Sequence, residues 1–372
     1  MFFNEKTPSE QAMILMLVIM FFALVAMVMG AELLVLGASR LAALFGVSQL
    51  VIGLTIVSFG TSAPELVVSI KGALTNHSDL VIGNCIGSNI FNVLFIIGAC
   101  AVFTPLIVTK QLIRLDVPIM IGSNLFFLLL SIDGVIDRYD ALLLLTVFVV
   151  YYFFIVRKSL KENNLITDKS KDTSCVVKSS CTLPAIIQQI GLVTIGLILC
   201  ISGAAWLVDS AVTLARILGV SELVIGLTIV SIGTSLPEVA TSIVATIRGQ
   251  RDIAIGNVVG SCIFNILGII GLASLITPKG ITVAPSVLRF DLPIAIVTSI
   301  ACLPVFFTDY KISRWEGVLF LFYYAAYISY LILETQQHDV LPMLSMTMWW
   351  FAMPLTAVTF AVIVYRAIRS KL

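Results

Sequence analysis

The sequence predicts an all-α polytopic membrane protein: two inverted-topology repeats of about five transmembrane helices each, plus one C-terminal helix. Three observations lead there. Apolar runs of about 20 residues, enough to cross a bilayer core, recur along nearly the whole chain. The 372 residues are 59% hydrophobic and 12% charged, with a mean hydropathy of +1.08, whereas a soluble domain carries about twice that charged fraction. Finally, a long stretch of the chain is written twice.

The repeat is ungapped over most of its length. Val47–Val57 matches Val220–Val230 except at Gln49 and Glu222. At the same offset of 173, Gly60–Glu65 (GTSAPE) matches Gly233–Glu238 (GTSLPE), and Ile82–Asn92 matches Ile255–Asn265. The match reaches Thr104-Pro105 and Thr277-Pro278, then resumes at Arg114–Pro118 and Arg289–Pro293 after a two-residue insertion. The motif cores therefore occupy 47–105 and 220–278.

Eleven spans are predicted, at 12–38, 46–70, 79–103, 115–131, 140–156, 185–208, 219–243, 252–276, 288–307, 316–333 and 344–366. The first repeat is 12–156, the second 185–333, and 157–184 is a polar linker with six Lys/Arg. Five spans per copy is odd, so equivalent spans cross in opposite directions. Such inversion is typical of secondary transporters, whose substrate site lies at the repeat interface. With the linker and C-terminus cytoplasmic and the N-terminus outside, sixteen Lys/Arg fall inside and six outside, as the positive-inside rule requires. The first apolar run, from about Ala12 past Met29, exceeds a signal-peptide core and is preceded by the single base Lys6, so it reads as a mature transmembrane helix.

In the first motif, Thr55, Ser58, Ser62, Glu65 and Ser69 are spaced to share one helix face, with Thr61 beside Glu65. Thr228, Ser231, Ser235, Glu238 and Ser242 repeat the stripe, with Thr234 beside Glu238. Pro64 and Pro237 interrupt the helices. Broken helices at membrane depth are tolerated where they line a cavity or bury against protein. A carboxylate there costs about 2.5–3.5 kcal/mol on insertion scales, which marks Glu65 and Glu238 as functional. The next span adds Asn84, Ser88 and Asn92, mirrored by Asn257, Ser261 and Asn265, while Gly83, Gly87, Gly256 and Gly260 suit close helix contact.

The resulting ligand set is carboxylate, hydroxyl, carboxamide and backbone carbonyl, which suits a hard cation such as calcium. His77 and His338 lie in loops, which argues against zinc. Of the seven cysteines, Cys85, Cys100, Cys200, Cys262 and Cys302 read as small hydrophobes, and Cys175 and Cys181 as free linker thiols. Asp116 and Asp291 read as interfacial or helix-capping residues, and Asp133, Asp137 and Asp140 as a solvated turn. A net charge of +1 points to no nucleic-acid partner; the partners expected are the lipid bilayer and inorganic cations, with no cofactor.

At these motifs the sequence resembles the sodium/calcium exchanger family, prokaryotic type, within the cation/calcium exchanger superfamily, whose repeats read GTSxPE and GNxxGSNxxN. The resemblance covers both repeats, about 330 residues with flanking spans. It implies a calcium/sodium antiporter in a prokaryotic plasma membrane; the sequence has no HExxH motif, nucleophile–base pairing or cofactor loop, which argues against an intramembrane enzyme. Calcium would be held by Glu65 and Glu238 with backbone oxygens of Thr61 and Thr234. Sodium sites would add Ser58, Ser62, Ser88, Asn92, Ser231, Ser235 and Ser261. Spans 12–38 and 185–208 would slide against a fixed core. Two positions depart from the family pattern: Asn265 stands where the second repeat often has Asp, and Cys262 replaces the Asn of GSN. The nearest rival is a proton- or potassium-assisted calcium antiporter using the same glutamates. A cation channel is a further alternative, which the inverted repeat and paired broken helices argue against.

Overall fold

The computed structural model describes residues 8–169, 183–217, 231–307 and 310–335. Cys175 and Cys181 of the linker, Thr228 of the second motif, His338 and the eleventh span at 344–366 lie outside the described residues.

The first half begins with α1 (Pro8–Phe45), which ends where Gly46 takes a left-handed φ of 64°. Then α2 (Gln49–Thr61) and α3 (Ala63–Leu74) form one span bent by 49°. Ser48 caps α2 by accepting from Val51 N at 3.3 Å, and its own N–H donates to Ser159 Oγ at 2.9 Å. α4 (Ser78–Phe103) and α5 (Leu112–Leu130) follow, then α6 (Arg138–Lys169). The second half runs through α7 (Leu183–Ile217), a single turn at Ser231–Gly233, and α8 (Leu236–Ile247). It closes with α9 (Arg251–Ile276), α10 (Leu292–Phe307) and α11 (Arg314–Thr335). Among the described residues seven helices are long and apolar enough to cross a membrane, or eight with the bent pair. Helices suit that solvent because they satisfy their own backbone groups.

Burial sorts these helices. In α4 and α9, 72% and 83% of the apolar window is buried, against 17% in α1. The first two are the centre of the bundle; Phe21 and Phe22 of α1 are exposed on its outside, where lipid would cover them. Ile82, Ile86 and Ile90 of α4 join Ile263, Ile266 and Ile270 of α9 in one core. A second core lies between α1, α7, α8 and the start of α9.

Two close approaches need glycine. A Cβ at Gly260 of α9 would stand 2.6 Å from Leu54 O of α2, and one at Gly256 2.7 Å from Leu50 O. Any side chain there would push the first motif helix off α9. Gly83 and Gly87, expected to act alike, have no such neighbour among the described residues; their counterpart surface, 223–227, lies outside them.

Not foreseen from sequence are two short antiparallel sheets that each join one half to the other. β1 (Leu106–Ile107) pairs with β4 (Lys311–Ile312), and β2 (Val135–Ile136) with β3 (Ile281–Thr282). Such two-residue strands carry no alternation to read.

Asp116 corrects the sequence reading. It is fully buried, makes no capping bond, and accepts from Tyr151 Oη at 2.9 Å. Asp291 likewise accepts from Tyr327 Oη at 2.9 Å. The Asp133–Asp140 loop is the expected turn, with Asp137 Oδ1 accepting from Tyr139 N and Asp140 N.

Candidate cation site

Each motif helix breaks beside its glutamate. Ser62, between α2 and α3, leaves helical geometry at φ −80°, ψ 12°, and Ser235, ahead of α8, at φ −89°, ψ 7°. Pro64 and Pro237 sit in the first turns that follow, where a missing N–H costs nothing. Glu65 and Glu238 fall in the same first turns, where the positive end of the helix dipole favours a carboxylate. Both side chains are about 1% exposed.

The two halves hold each other's glutamates. Ser62 Oγ lies 2.8 Å from Glu238 Oε1 and 2.9 Å from Ser261 Oγ. An ionised carboxylate only accepts, so the single Ser62 proton goes to Glu238 and Ser261 donates to Ser62. The mirror relay runs from Ser88 Oγ to Ser235 Oγ at 3.1 Å and from Ser235 Oγ to Glu65 Oε1 at 2.8 Å. Each glutamate is thus held by the serine that stands three residues before the other.

Around this centre, two asparagines cross-link the breaks. Asn257 accepts from Thr61 Oγ1 at 3.0 Å and donates to Ser242 Oγ at 3.0 Å. Asn84 accepts from Thr234 Oγ1 at 3.5 Å and donates to Ser69 Oγ at 3.0 Å and to the main-chain oxygen of Glu65 at 3.1 Å. These four stripe residues were not placed in the expected ligand set; their role is to hold the threonines and the helix ends. Their spacing was visible in the sequence, but their partners come from the opposite half, which spacing within one helix does not show.

The remaining residues divide. Ser58 and Thr55 donate to their own i−4 carbonyls, Leu54 O at 2.7 Å and Val51 O at 2.6 Å, the usual fate of a hydroxyl in an apolar helix. The Tyr152 hydroxyl donates to the main-chain oxygen of Gly260 at 3.3 Å. The side chain of Ser231 is outside the described residues. Asn92 opens a π-helical turn, Asn92–Ile96, and Asn265 lies in another, Phe264–Ile270; such turns gather at functional sites.

Among the candidate site residues, four buried oxygens have no hydrogen-bond partner: Glu65 Oε2, Glu238 Oε2, Asn92 Oδ1 and Asn265 Oδ1. An unmatched buried acceptor costs about 1–3 kcal/mol, and more when charged. All four are hard oxygen donors, two of them carrying the charge that balances one divalent cation. Among the described residues no three His, Cys, Asp or Glu side chains cluster, so neutral oxygens must make up the rest of any shell.

A many-helix fold of membrane-spanning length with two buried carboxylates, each keeping one unpartnered oxygen, is the build of an ion-transport protein. The sequence matches the family model "Sodium/calcium exchanger protein" over residues 15–157 and 188–333, and the chain belongs to that family of transporters. It is 37% identical over 267 residues to "Inner membrane protein YrbG" of Escherichia coli (strain K12), covering 72% of this chain and 81% of that protein. It is 31% identical over 339 residues to "Sodium/calcium exchanger MaX1" of Methanosarcina acetivorans, covering 83% and 96%. A solved structure of the sodium-calcium exchanger NCX_Mj, soaked with 10 mM Na+ and zero Ca2+, superposes with a TM-score of 0.73 at 30% identity, over 85% of this chain and 99% of that one.

Proposed function

We propose that this protein exchanges calcium for sodium across a prokaryotic plasma membrane by alternating access, with Glu65 and Glu238 as the shared cation site. The observation that carries this reading is the set of four donorless oxygens on Glu65, Glu238, Asn92 and Asn265. Main-chain oxygens of Thr61 and Thr234, and the hydroxyls of Ser58, Ser62, Ser88, Ser231, Ser235 and Ser261, complete the ion shells. Residues 12–156 and 185–333 are the two inverted halves, the linker 157–184 and the C-terminus face the cytoplasm, and 344–366 is an added span. The helices α1 and α7 move against the core formed by α2–α4, α8 and α9.

Coupling follows from charge. Two buried, unpaired carboxylates repel each other and have lost their water, so the empty site resists reorientation. One Ca²⁺ or two Na⁺ neutralises it, and either load permits the switch. Competition for the same oxygens makes exchange obligatory. Because position 265 is Asn, two charges suffice and the cycle is electroneutral; each uncompensated charge would add about 2.3 kcal/mol per 100 mV.

The test is calcium uptake into proteoliposomes under an outward sodium gradient, with and without a clamped potential. Sodium-driven uptake insensitive to the clamp is expected. Uptake driven only by a proton gradient would replace sodium by protons at the same site, and flux without any counter-ion would make the protein a channel.

A further inference from the structure

One asparagine of the first motif, the Asn of its GSN, was given no part in the site, yet it bonds one of the site residues. Asn89, on α4, is about 2% exposed and faces α9. Its Nδ2 donates to the main-chain oxygen of Cys262 at 3.1 Å, and its Oδ1 accepts from Asn265 Nδ2 at 3.0 Å. A carbonyl oxygen can only accept, so the Cys262 bond settles which end of the Asn89 amide is which. The Asn89 oxygen is thereby turned to position 265, where it demands a donor. Asn265 answers with its nitrogen, and its own oxygen is the one left without a donor.

We infer that Asn89 is the positioning residue for Asn265, fixing its amide so that oxygen rather than nitrogen meets the cation. This rests on the cation-site reading above and deepens it. An unfixed carboxamide presents NH₂ as readily as oxygen, and NH₂ repels a cation. The relay also makes position 265 a donor position: Asp there would set a carboxylate against the Asn89 oxygen. The other half has no such relay. The counterpart of Asn89 is Cys262, whose thiol donates only to the main-chain oxygen of Asn89, at 3.9 Å, and is too weak a hydrogen-bonding group to orient an amide.

The experiment is a double-mutant cycle read by calorimetric titration of Ca²⁺ into the full-length protein in detergent. Asn89→Leu is expected to weaken Ca²⁺ binding about tenfold or more, the usual effect of losing a partner that orients a ligand. Asn265→Asp is expected to weaken binding although it adds negative charge. On the Asn89→Leu background the same change is expected to strengthen binding, because either carboxylate oxygen then serves. A purely structural role for Asn89 would not reverse the sign. Unchanged affinity in Asn89→Leu, or tighter binding in Asn265→Asp alone, would overturn the inference. If Asn265→Asp unfolds and the double variant does not, the acceptor clash is supported; if both unfold, it is overturned. Should Asn89→Leu itself not fold, Asn89→Ser takes its place in the cycle. Absence of Ca²⁺ binding by the unmutated protein would sink the site reading as well, whereas binding with no sign reversal would sink only the role of Asn89.

Discussion

The two halves of the molecule are alike at the glutamates and unlike around them. Ser62 holds Glu238 and Ser235 holds Glu65 at the same 2.8 Å, each with a second serine behind it. One shell out, Asn257 grips Thr61 at 3.0 Å, while the Asn84–Thr234 bond is 3.5 Å. Elsewhere the likeness ends: Asn89 faces Cys262, and Arg248 binds Glu32 at 2.8 Å where the repeat places Thr75 and Ala205. The likeness therefore holds at the carboxylates and their serines and breaks at particular neighbours. Such a pattern is expected if the carboxylates serve both sides of the membrane equally while single neighbours make one side differ from the other.

The largest effects should respect the likeness. Glu65→Gln and Glu238→Gln are each expected to lower calcium transport at least about 100-fold, the scale of losing roughly 3 kcal/mol of ion binding. Both variants should elute as folded protein in size-exclusion chromatography. Near-normal flux in one of them would mean that the halves are not equal partners. Next come Ser62→Ala and Ser235→Ala. A hydrogen bond to a charged group contributes about 1.5–3 kcal/mol, so each should weaken calcium binding by about ten- to a hundredfold. Titration of both should give matching losses, and a clear inequality would break the symmetry at its centre.

The sequence carried much of this and missed a definable part. The glutamates were legible because a charge inside an apolar run has few explanations, and duplication removed most of those. The broken helices were legible from Pro64 and Pro237, because proline favours the first turn of a helix and so marks where a new one begins. What was not legible is every bond between residues far apart in the chain: Ser62 to Glu238, Asn84 to Thr234, Asn89 to Asn265. A repeat says that two segments are alike, not that each completes the other. Asp116 shows the same limit. Its place at the start of a span resembled a cap, and only the packing of α6 supplies the Tyr151 hydroxyl that accounts for its burial.

The outer shell should give smaller, unequal effects. Asn257→Ala leaves the Ser242 hydroxyl without its donor and Thr61 Oγ1 with only the weaker 3.3 Å bond to Ser58 O, in a fully buried setting. A loss of about 1–3 kcal/mol is expected. Asn84→Ala removes the longer threonine bond, 3.5 Å, and should cost less because that bond is the weaker of the two. Thermal unfolding of the two variants in one detergent orders them; equal losses, or a greater one for Asn84→Ala, would remove the inequality argued for this shell.

The smallest effect belongs to the clearest asymmetry. Glu32 and Arg248 bond at 2.8 Å but remain 47% and 59% exposed, and exposed pairs contribute about 0–1 kcal/mol. Arg248→Ala should therefore leave thermal stability within that range. Yet the pair ties α1, a helix that moves in the proposed cycle, to the end of α8, which does not, and no ion pair occupies the equivalent place in the other half. Even a fraction of a kcal/mol acting on one of two alternating states shifts their ratio, by about twofold for 0.4 kcal/mol. The expected signature is a small change in apparent sodium affinity on one face of the membrane only, screened out at high salt. Equal changes measured on both faces of oriented proteoliposomes would show that the pair does not distinguish the two states.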